Sequence, residues 1–362
     1  MLKPASLSLG TFSCIILCSF LSHAQTWLPR EPSPGASVSQ TVGISKINVN
    51  YSRPSVRGRE VWGKLVPYGW NVQAFGAGNS APWRAGANEN TVLHLSSDAK
   101  IEGTTVPAGD YGLFFVINED NSGEVILSKD SKSWGSFFYD AKQDQMRAKI
   151  SIRNTPYFTE RLDYSFDSVS KNMAELDLNW EKKQFPVKIE FNVDEIVMDN
   201  AIELLKGETG FTPGNLNAAA AYALQNNIDT AQAMKWVNRS IANGPTYNNL
   251  RIKALLLKKG GDSLTSDNLM KTALPLATEN DLNIYGYQLL AQNKFPQAID
   301  ALKLATEKFP QSANTWDSLG EAYALSGDKK NAIASFKKSL SMNPPGPTKA
   351  NSEKYLKQLG AM

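Results

Sequence analysis

The sequence predicts two folds in succession, an antiparallel β-sandwich or jelly roll followed by an α-helical solenoid. Three observations predict it. As far as Val193, apolar residues alternate with polar ones at a period of two, as in half-buried strands. From Asp194 the period becomes 3.6, which is typical of amphipathic helices. Near the C-terminus the pattern recurs every 34 residues, a period that predicts a solenoid of the tetratricopeptide repeat (TPR) type.

The N-terminus predicts export. Lys3 precedes a mostly apolar stretch, residues 7–21, and Ser22-His23-Ala24 supplies the small residues that signal peptidase reads. The apolar stretch is shorter than the roughly 20 residues that span a bilayer, which favours a cleaved signal peptide over a retained anchor. We therefore expect a signal peptide over residues 1–24 and a Pro-rich lead over 25–36. The mature chain is expected to be periplasmic or secreted, without a transmembrane span.

Composition narrows the function classes. The chain has 362 residues and a formal net charge of +3, from 38 basic and 35 acidic residues, too little to indicate a nucleic-acid partner. Both cysteines lie in the predicted signal peptide, and the mature chain keeps one histidine, His94. One mature chain therefore offers no disulfide, thiolate nucleophile or multi-histidine metal site. We expect no cofactor and no metal.

Alternation predicts eight to ten strands between residues 37 and 193. The alternating segments are Ile47–Tyr51, Leu93–Leu95, Leu162–Phe166, Leu176–Trp180 and Val187–Val193. Turn residues separate them, as at Glu102-Gly103 and in the segment 118–123. A continuous apolar run from Leu113 to Ile117 suits a central strand.

The helical half divides into four predicted segments. A connector over residues 194–213 leads to degenerate repeats over 214–278, for which a plain amphipathic bundle is an open alternative. Two TPR units follow over 279–346, and a capping helix over 347–362 covers the end of the stack. The consensus positions of the last unit are Trp316, Leu319, Gly320, Tyr323, Ala332, Phe336, Ser339 and Pro344.

Several multi-residue blocks in the β-region occur in a distinctive order. They are residues 51–59 (YSRPSVRGR), Val61-Trp62-Gly63, residues 83–91 (WRAGANENT), residues 106–113 (VPAGDYGL) and Trp134-Gly135. This order resembles a secreted bacterial family, domain of unknown function number 2911, over roughly residues 37–193. The resemblance implies the domain boundaries and a helical-repeat tail, but no activity.

An arginine-rich block is the best candidate for a ligand site. The candidate residues are Arg53, Arg57, Arg59, Trp83, Arg84, Asn88 and Glu89. Arginines beside rigid aromatic residues bind carboxylate or phosphate groups bidentately, so two such segments that meet predict a pocket for an anionic or sugar ligand. The alternative is an internal network in which Glu89 and backbone carbonyls satisfy the arginines.

The repeats offer a second candidate site. Stacked TPR units form a concave groove that holds extended peptides or partner helices. Polar residues in or near the first helices are candidates to face it: Asn283, Gln288, Asn314 and Lys329. Packing of the helical tail against the sandwich is the alternative.

These patterns together favour a non-enzymatic binding or scaffold protein of the envelope, with a β-sandwich module and repeats that dock a protein or peptide partner. The alternative is a carbohydrate-binding or carbohydrate-active protein that uses carboxylates of the β-domain. The two differ in whether paired carboxylates lie in a Trp-lined cleft.

Overall fold

The computed structural model describes residues 32–362, which form two compact units divided after Val193. The first is an antiparallel β-domain and the second is helical, so the predicted fold class is confirmed. The predicted signal peptide and the first part of the Pro-rich lead lie outside the described residues.

The strands of the β-domain carry the alternating segments. Their bounds are β1 Gly35–Val42, β2 Ser45–Ser52, β3 Asn71–Val72, β4 Ser80–Ala81, β5 Val92–Leu95, β6 Ala99–Ile101, β7 Thr104–Val106, β8 Gly109–Ile117, β9 Ser122–Ser128, β10 Asp144–Ser151, β11 Arg153–Val169 and β12 Met173–Glu190. A short 3-10 turn, Ala141–Gln143, precedes β10.

Two antiparallel sheets face each other. One has the order β1-β2-β5-β8-β9-β10 and the other β11-β12-β6-β7, while β3 and β4 pair separately. Rings from the two sheets pack together in the core: the ring centroids of Phe115 (β8) and Phe185 (β12) are 5.3 Å apart. The ring centroids of Tyr51 (β2) and Tyr164 (β11) are 4.7 Å apart. The alternating side chains of both sheets therefore fill one core, as in a sandwich.

Strand β8 is buried on both faces, which explains its continuous apolar run. Phe115 points into the sandwich, whereas Phe114 and Val116 pack on the outer side with Ala81 and Tyr139. The outer face of a sheet normally meets water and carries polar residues. Here the loop that contains Tyr139 covers it, and this loop also builds the candidate site described below.

The helical domain consists of paired helices. Their bounds are α1 Val193–Leu204, α2 Pro213–Gln225, α3 Thr230–Ala242, α4 Tyr247–Lys259, α5 Ser263–Ala273, α6 Glu279–Ala291, α7 Phe295–Lys308, α8 Ala313–Ser326, α9 Lys329–Leu340 and α10 Gly346–Gln358. None of the helices within residues 32–362 combines the length and apolar character needed to cross a membrane.

Four hairpins share the same local chemistry. The first helix of each begins after a Ser or Thr at steps of 34, 32 and 34 residues: Thr212, Thr246, Thr278 and Ser312. The turns of the four hairpins contain a left-handed residue at equivalent positions, namely Asn227 (φ 60°), Gly261 (φ 92°), Asn293 (φ 58°) and Gly327 (φ 86°). The segment 214–278 therefore forms helical hairpins of the same kind as the two C-terminal units, rather than a plain bundle.

Small residues let the two helices of a hairpin approach. A Cβ atom on Gly286 would lie 2.6 Å from Leu302 Cγ, and one on Gly320 would lie 2.8 Å from Phe336 Cδ1. The equivalent residues of the first two hairpins, Ala220 and Ala254, are fully buried. This packing and the shared turns identify the helical domain as a TPR-type solenoid.

Candidate functional site

A cleft of about 520 Å³ opens on the β-domain where the segments 54–73 and 81–88 come together. Its lining includes five of the seven predicted residues, Arg57, Arg59, Trp83, Arg84 and Asn88, together with Lys64. Four of its lining side chains are cationic, and none is Asp or Glu. We call it the cationic cleft. A concave site with several cations and no lining carboxylate favours an anionic ligand.

Arg84 is the most enclosed of the four cations. Its Nη1 donates a hydrogen bond to the carbonyl of Asn88 (2.7 Å), and the guanidinium lies 4.8 Å from the centre of the Phe137 ring. Burial lowers the pKa of Arg84, because desolvation disfavours the charged form. An anion that entered the cleft would restore the electrostatic stabilisation that this guanidinium loses on leaving water.

Arg57 and Arg59 are held by backbone chemistry rather than by ion pairs in the described residues. Arg57 adopts a left-handed conformation (φ 51°), and its backbone N–H donates to Glu160 Oε1 (2.9 Å). Arg59 donates from Nη2 to the carbonyl of Ser55 (2.5 Å) and from Nε to that of Val56 (3.0 Å). Carbonyl partners orient a guanidinium without neutralising it, so its charge remains available to a ligand.

Two predicted residues lie elsewhere. Arg53 forms an ion pair with Asp163 (2.9 Å) and donates to the carbonyl of Leu162 (2.9 Å), which ties β2 to β11. Arg53 thus takes part in the kind of internal network that was the alternative to a pocket. Glu89 does not line the cleft.

Trp83 contributes mainly to the core. Its ring stacks on Trp180 at 5.8 Å with an interplanar angle of 15°, and it meets Trp62 edge to face. Trp62 and Trp180 are buried and Trp83 is half-buried, so this aromatic cluster supports the floor of the cleft. Sequence reasoning missed Lys64, whose only signal was its position beside the Trp62-Gly63 block.

The second candidate site is a row of polar residues on the first helices of the four hairpins and on α10, which follows them. Its members occupy equivalent repeat positions: Asn217, Arg251, Asn283, Asp317 and Asn351. We call them the polar row. Periodicity alone could have found them, because they follow one another at steps of 34, 32, 34 and 34 residues.

The polar row has its hydrogen bonds made at the C-terminal end, whereas two of its oxygens lack partners nearer the N-terminal end. Asp317 accepts hydrogen bonds from Asn351 Nδ2 (2.9 Å) and Ser352 Oγ (2.5 Å), and burial raises its pKa. In contrast, Oδ1 of Asn217 and Oδ1 of Asn283 are buried without a hydrogen-bond partner among the described residues. Such unsatisfied groups are uncommon in folded proteins and point to a missing partner.

A hollow of about 340 Å³ lies beside the row, between α2 and α4. Arg251 lines it with Ala221, Leu224, Ile252 and Leu255. The hollow combines apolar walls with one cation, a combination that suits an apolar side chain next to a carboxylate.

The predicted groove residues are distributed around this face. Asn283 belongs to the polar row, and Gln288 accepts a hydrogen bond from Arg251 (3.4 Å). Asn314 donates to Glu279 (3.4 Å). Lys329 begins α9, a second helix, and is exposed there rather than on the first helices.

Comparison with known proteins identifies the β-domain. Residues 33–189 match the model of the family described as Protein of unknown function (DUF2911). We call this matched segment the DUF2911 domain. The resemblance inferred from the sequence blocks is thereby confirmed, and the DUF2911 domain contains the whole cationic cleft except Pro32. No curated protein matches the chain.

Solved TPR structures resemble the helical domain that follows the DUF2911 domain. YrrB, a TPR protein with an unusual peptide-binding site, is 14% identical, with 45% of this chain and 84% of that chain covered and a TM-score of 0.29. The C-terminal part of a TPR repeat-containing protein from Cytophaga hutchinsonii is 19% identical, with 43% and 65% covered and a TM-score of 0.30. MamA is 15% identical, with 40% and 86% covered and a TM-score of 0.29.

Proposed function

We propose that this protein is a non-enzymatic binding protein of the periplasm or the extracellular space, which docks an extended segment of a partner protein along the polar row of its helical domain. The observation that carries the proposal is the pair of buried, unpartnered amide oxygens of Asn217 and Asn283. The apolar N-terminal stretch and the small residues before Gln25 support export.

An extended peptide supplies what these asparagines lack. A buried polar atom without a partner costs about 1–3 kcal/mol. Rotation of the half-buried side-chain amides would bring these oxygens to the surface, where backbone N–H groups of a bound peptide would remove that cost. The neighbouring Asp317 already has two donors, so the peptide would lie towards the α2–α6 end of the row. There the hollow beside Arg251 would accept an apolar residue that is followed or preceded by a carboxylate.

Selection of peptides from a random displayed library on the full mature chain tests this proposal. We expect the selected peptides to share an apolar residue beside an acidic one, and Asn217→Ala or Asn283→Ala to weaken their binding about tenfold. Asn238→Ala is the matched control, because Asn238 is exposed on α3, a second helix. Selected peptides that bind both asparagine variants as well as the control would overturn the proposal.

A second proposed function is anion binding in the cationic cleft. The cleft favours this function because cations line it and carboxylates do not. The cleft is large enough for a phosphate or an acidic sugar, and four cations line it: Arg57, Arg59, Lys64 and Arg84. We expect inorganic phosphate and galacturonate to bind in titration calorimetry, and neutral galactose to bind far more weakly. Equal affinity for galacturonate and galactose would contradict a site selected by charge.

A carbohydrate-active enzyme would have to use another part of the DUF2911 domain, because the cleft has no lining carboxylate. Glu60 and Glu181 line a separate hollow of about 300 Å³ with Trp62, whose indole N–H donates to Glu181 Oε2 (3.1 Å). Hydrolysis of a glycan that Glu60→Gln and Glu181→Gln both abolish would establish this alternative. Absence of turnover in the wild-type chain would leave the binding function.

A further inference from the structure

An exposed aromatic surface borders the cationic cleft. It is formed by the exposed Trp70, Val72, Phe75 and Phe138 together with the half-buried Phe137, and we call this set the aromatic rim. Phe75 is 67% exposed, Val72 65% and Phe138 48%. A contiguous exposed patch of large apolar side chains is uncommon on a soluble domain and marks an interaction surface.

The rim is held in place by its backbone. The N–H of Ala77 donates to the carbonyl of Phe137 (2.8 Å), and Asn79 Nδ2 donates to the carbonyl of Tyr139 (3.4 Å). Gly76 has a left-handed conformation (φ 89°) and lies against Phe137, where a Cβ atom would overlap the carbonyl. These contacts join the two loops and keep Phe75 on the surface.

Cations and aromatic rings form one continuous surface. Asn71, Gln73 and Ser136 line the cleft, and they alternate along the chain with rim residues. The guanidinium of Arg84 lies over the Phe137 ring, and that of Arg147 lies over the Trp70 ring, each at 4.8 Å. A ligand on this surface would meet positive charge in the cleft and apolar contact at its edge.

Ring orientation distinguishes between ligand classes. Phe75 meets Phe137 at an interplanar angle of 82° and Phe138 at 79°, so the rings of the rim lie in crossed planes rather than in one flat platform. Sugar rings stack on flat aromatic faces, whereas the interfacial region of a membrane accepts exposed aromatic residues in many orientations. Anionic headgroups would also complement the charge of the cleft, because cations near a membrane surface are attracted to anionic lipids.

We propose that the DUF2911 domain docks on an anionic lipid surface, with a lipid phosphate in the cationic cleft and the aromatic rim in the headgroup region. This inference rests on the proposed anion-binding function of the cleft and adds the source of the anion. A lipid phosphate and a free phosphate share their chemistry, so the rim is the feature that separates them.

Vesicle sedimentation with the mature chain from Gln25 tests the inference, because this chain lacks the apolar N-terminal stretch. We expect binding to phosphatidylcholine vesicles only when they contain phosphatidylglycerol. Phe75→Ser with Phe138→Ser should weaken vesicle binding by about tenfold or more and leave the affinity for inorganic phosphate unchanged. The matched control is Tyr157→Ser with Val169→Ser, since both residues are exposed on β11.

Cleft variants complete the design. Arg57→Gln with Lys64→Gln should weaken both vesicle and phosphate binding, and thermal unfolding will show whether these exposed side chains leave stability unchanged. Phosphate binding without vesicle binding would overturn the lipid inference and leave the anion site standing, whereas failure of both ligands would overturn both. Self-association that the rim variant abolishes in sedimentation velocity, without vesicle binding, would assign the rim to a protein interface and overturn the inference.

Discussion

Gly135 lies directly against the guanidinium of Arg84, so closely that a Cβ atom at residue 135 would overlap Arg84 Cζ and Nη1. Gly135 also has a left-handed conformation, with φ at 60°. The Trp134-Gly135 block therefore has two physical roles: it turns the chain, and it leaves room for the most enclosed cation of the cleft. Loop and arginine form one unit, although about 50 residues separate them in the sequence.

Gly135→Ala should therefore weaken phosphate binding to the cleft and lower stability, because it displaces Arg84 and strains the backbone. The strain alone costs about 1–2 kcal/mol for a residue with a Cβ atom. Gly103→Ala is the control, since Gly103 also has a positive φ (81°) but no atom within 4 Å of the added Cβ. Denaturant unfolding and phosphate calorimetry on both variants check the prediction, and equal phosphate affinity in the two would contradict it.

Charge reversal should have different effects at Arg53 and Arg57, although both belong to the arginine-rich block of the sequence. Arg57→Glu is expected to abolish phosphate binding and leave unfolding unchanged, because its side chain lines the cleft at an exposed position. Arg53→Glu should destabilise by about 1–2 kcal/mol, because it places a carboxylate beside Asp163. A loss of folding in Arg57→Glu would instead show that Arg57 belongs to an internal network.

Asp177 should make the stability of the DUF2911 domain pH-dependent. The residue is 1% exposed, Oδ1 has no partner among the described residues, and burial, reinforced by Glu175 and Asp167, raises its pKa to about 7. The folded state thus keeps the proton up to about pH 7, whereas the unfolded state releases it near pH 4. Stability should fall as the pH rises between these two values.

Asp177→Asn should remove that dependence, because the amide resembles the protonated carboxyl and does not titrate. Urea unfolding of both chains at pH 5 and pH 8 measures it. Asp167→Asn, at an exposed position on β11, is the comparison and should retain most of the wild-type slope. An unchanged slope in Asp177→Asn would mean that another group causes it.

Gly286→Ala should destabilise the third hairpin by about 1–3 kcal/mol, since overpacking against the fully buried Leu302 exceeds the gain in helix propensity. Gly214→Ala in the first turn of α2 meets no atom within 4 Å and should be neutral or slightly stabilising. Thermal unfolding checks both variants. Equal midpoints for the two would show that Leu302 moves aside without cost.

Periodicity alone predicts the order of the two folds, because each period belongs to a local geometry: two residues for a strand and 3.6 for a helix. The sequence also predicts the hairpin unit, since Asn293 and Gly327 mark the turns where the chain becomes left-handed. The apolar pattern of the first two hairpins matches the TPR consensus less well than that of the last two. There the shared signal lies in the caps Thr212 and Thr246 and in small residues such as Ala220.

Which residues share a site depends on contacts between distant parts of the folded chain. Arg53 and Arg57 are four residues apart, yet one pairs with Asp163 across the sandwich and the other lines the cleft. Arg53 directly follows strand β2, whereas Arg57 lies farther along the loop, where the backbone is left-handed. Partners distant in the chain, such as Gly135 for Arg84, leave no periodic signal in a single sequence. Local periodicity follows from backbone geometry, whereas a binding site depends on long-range contacts that the folded chain alone brings together.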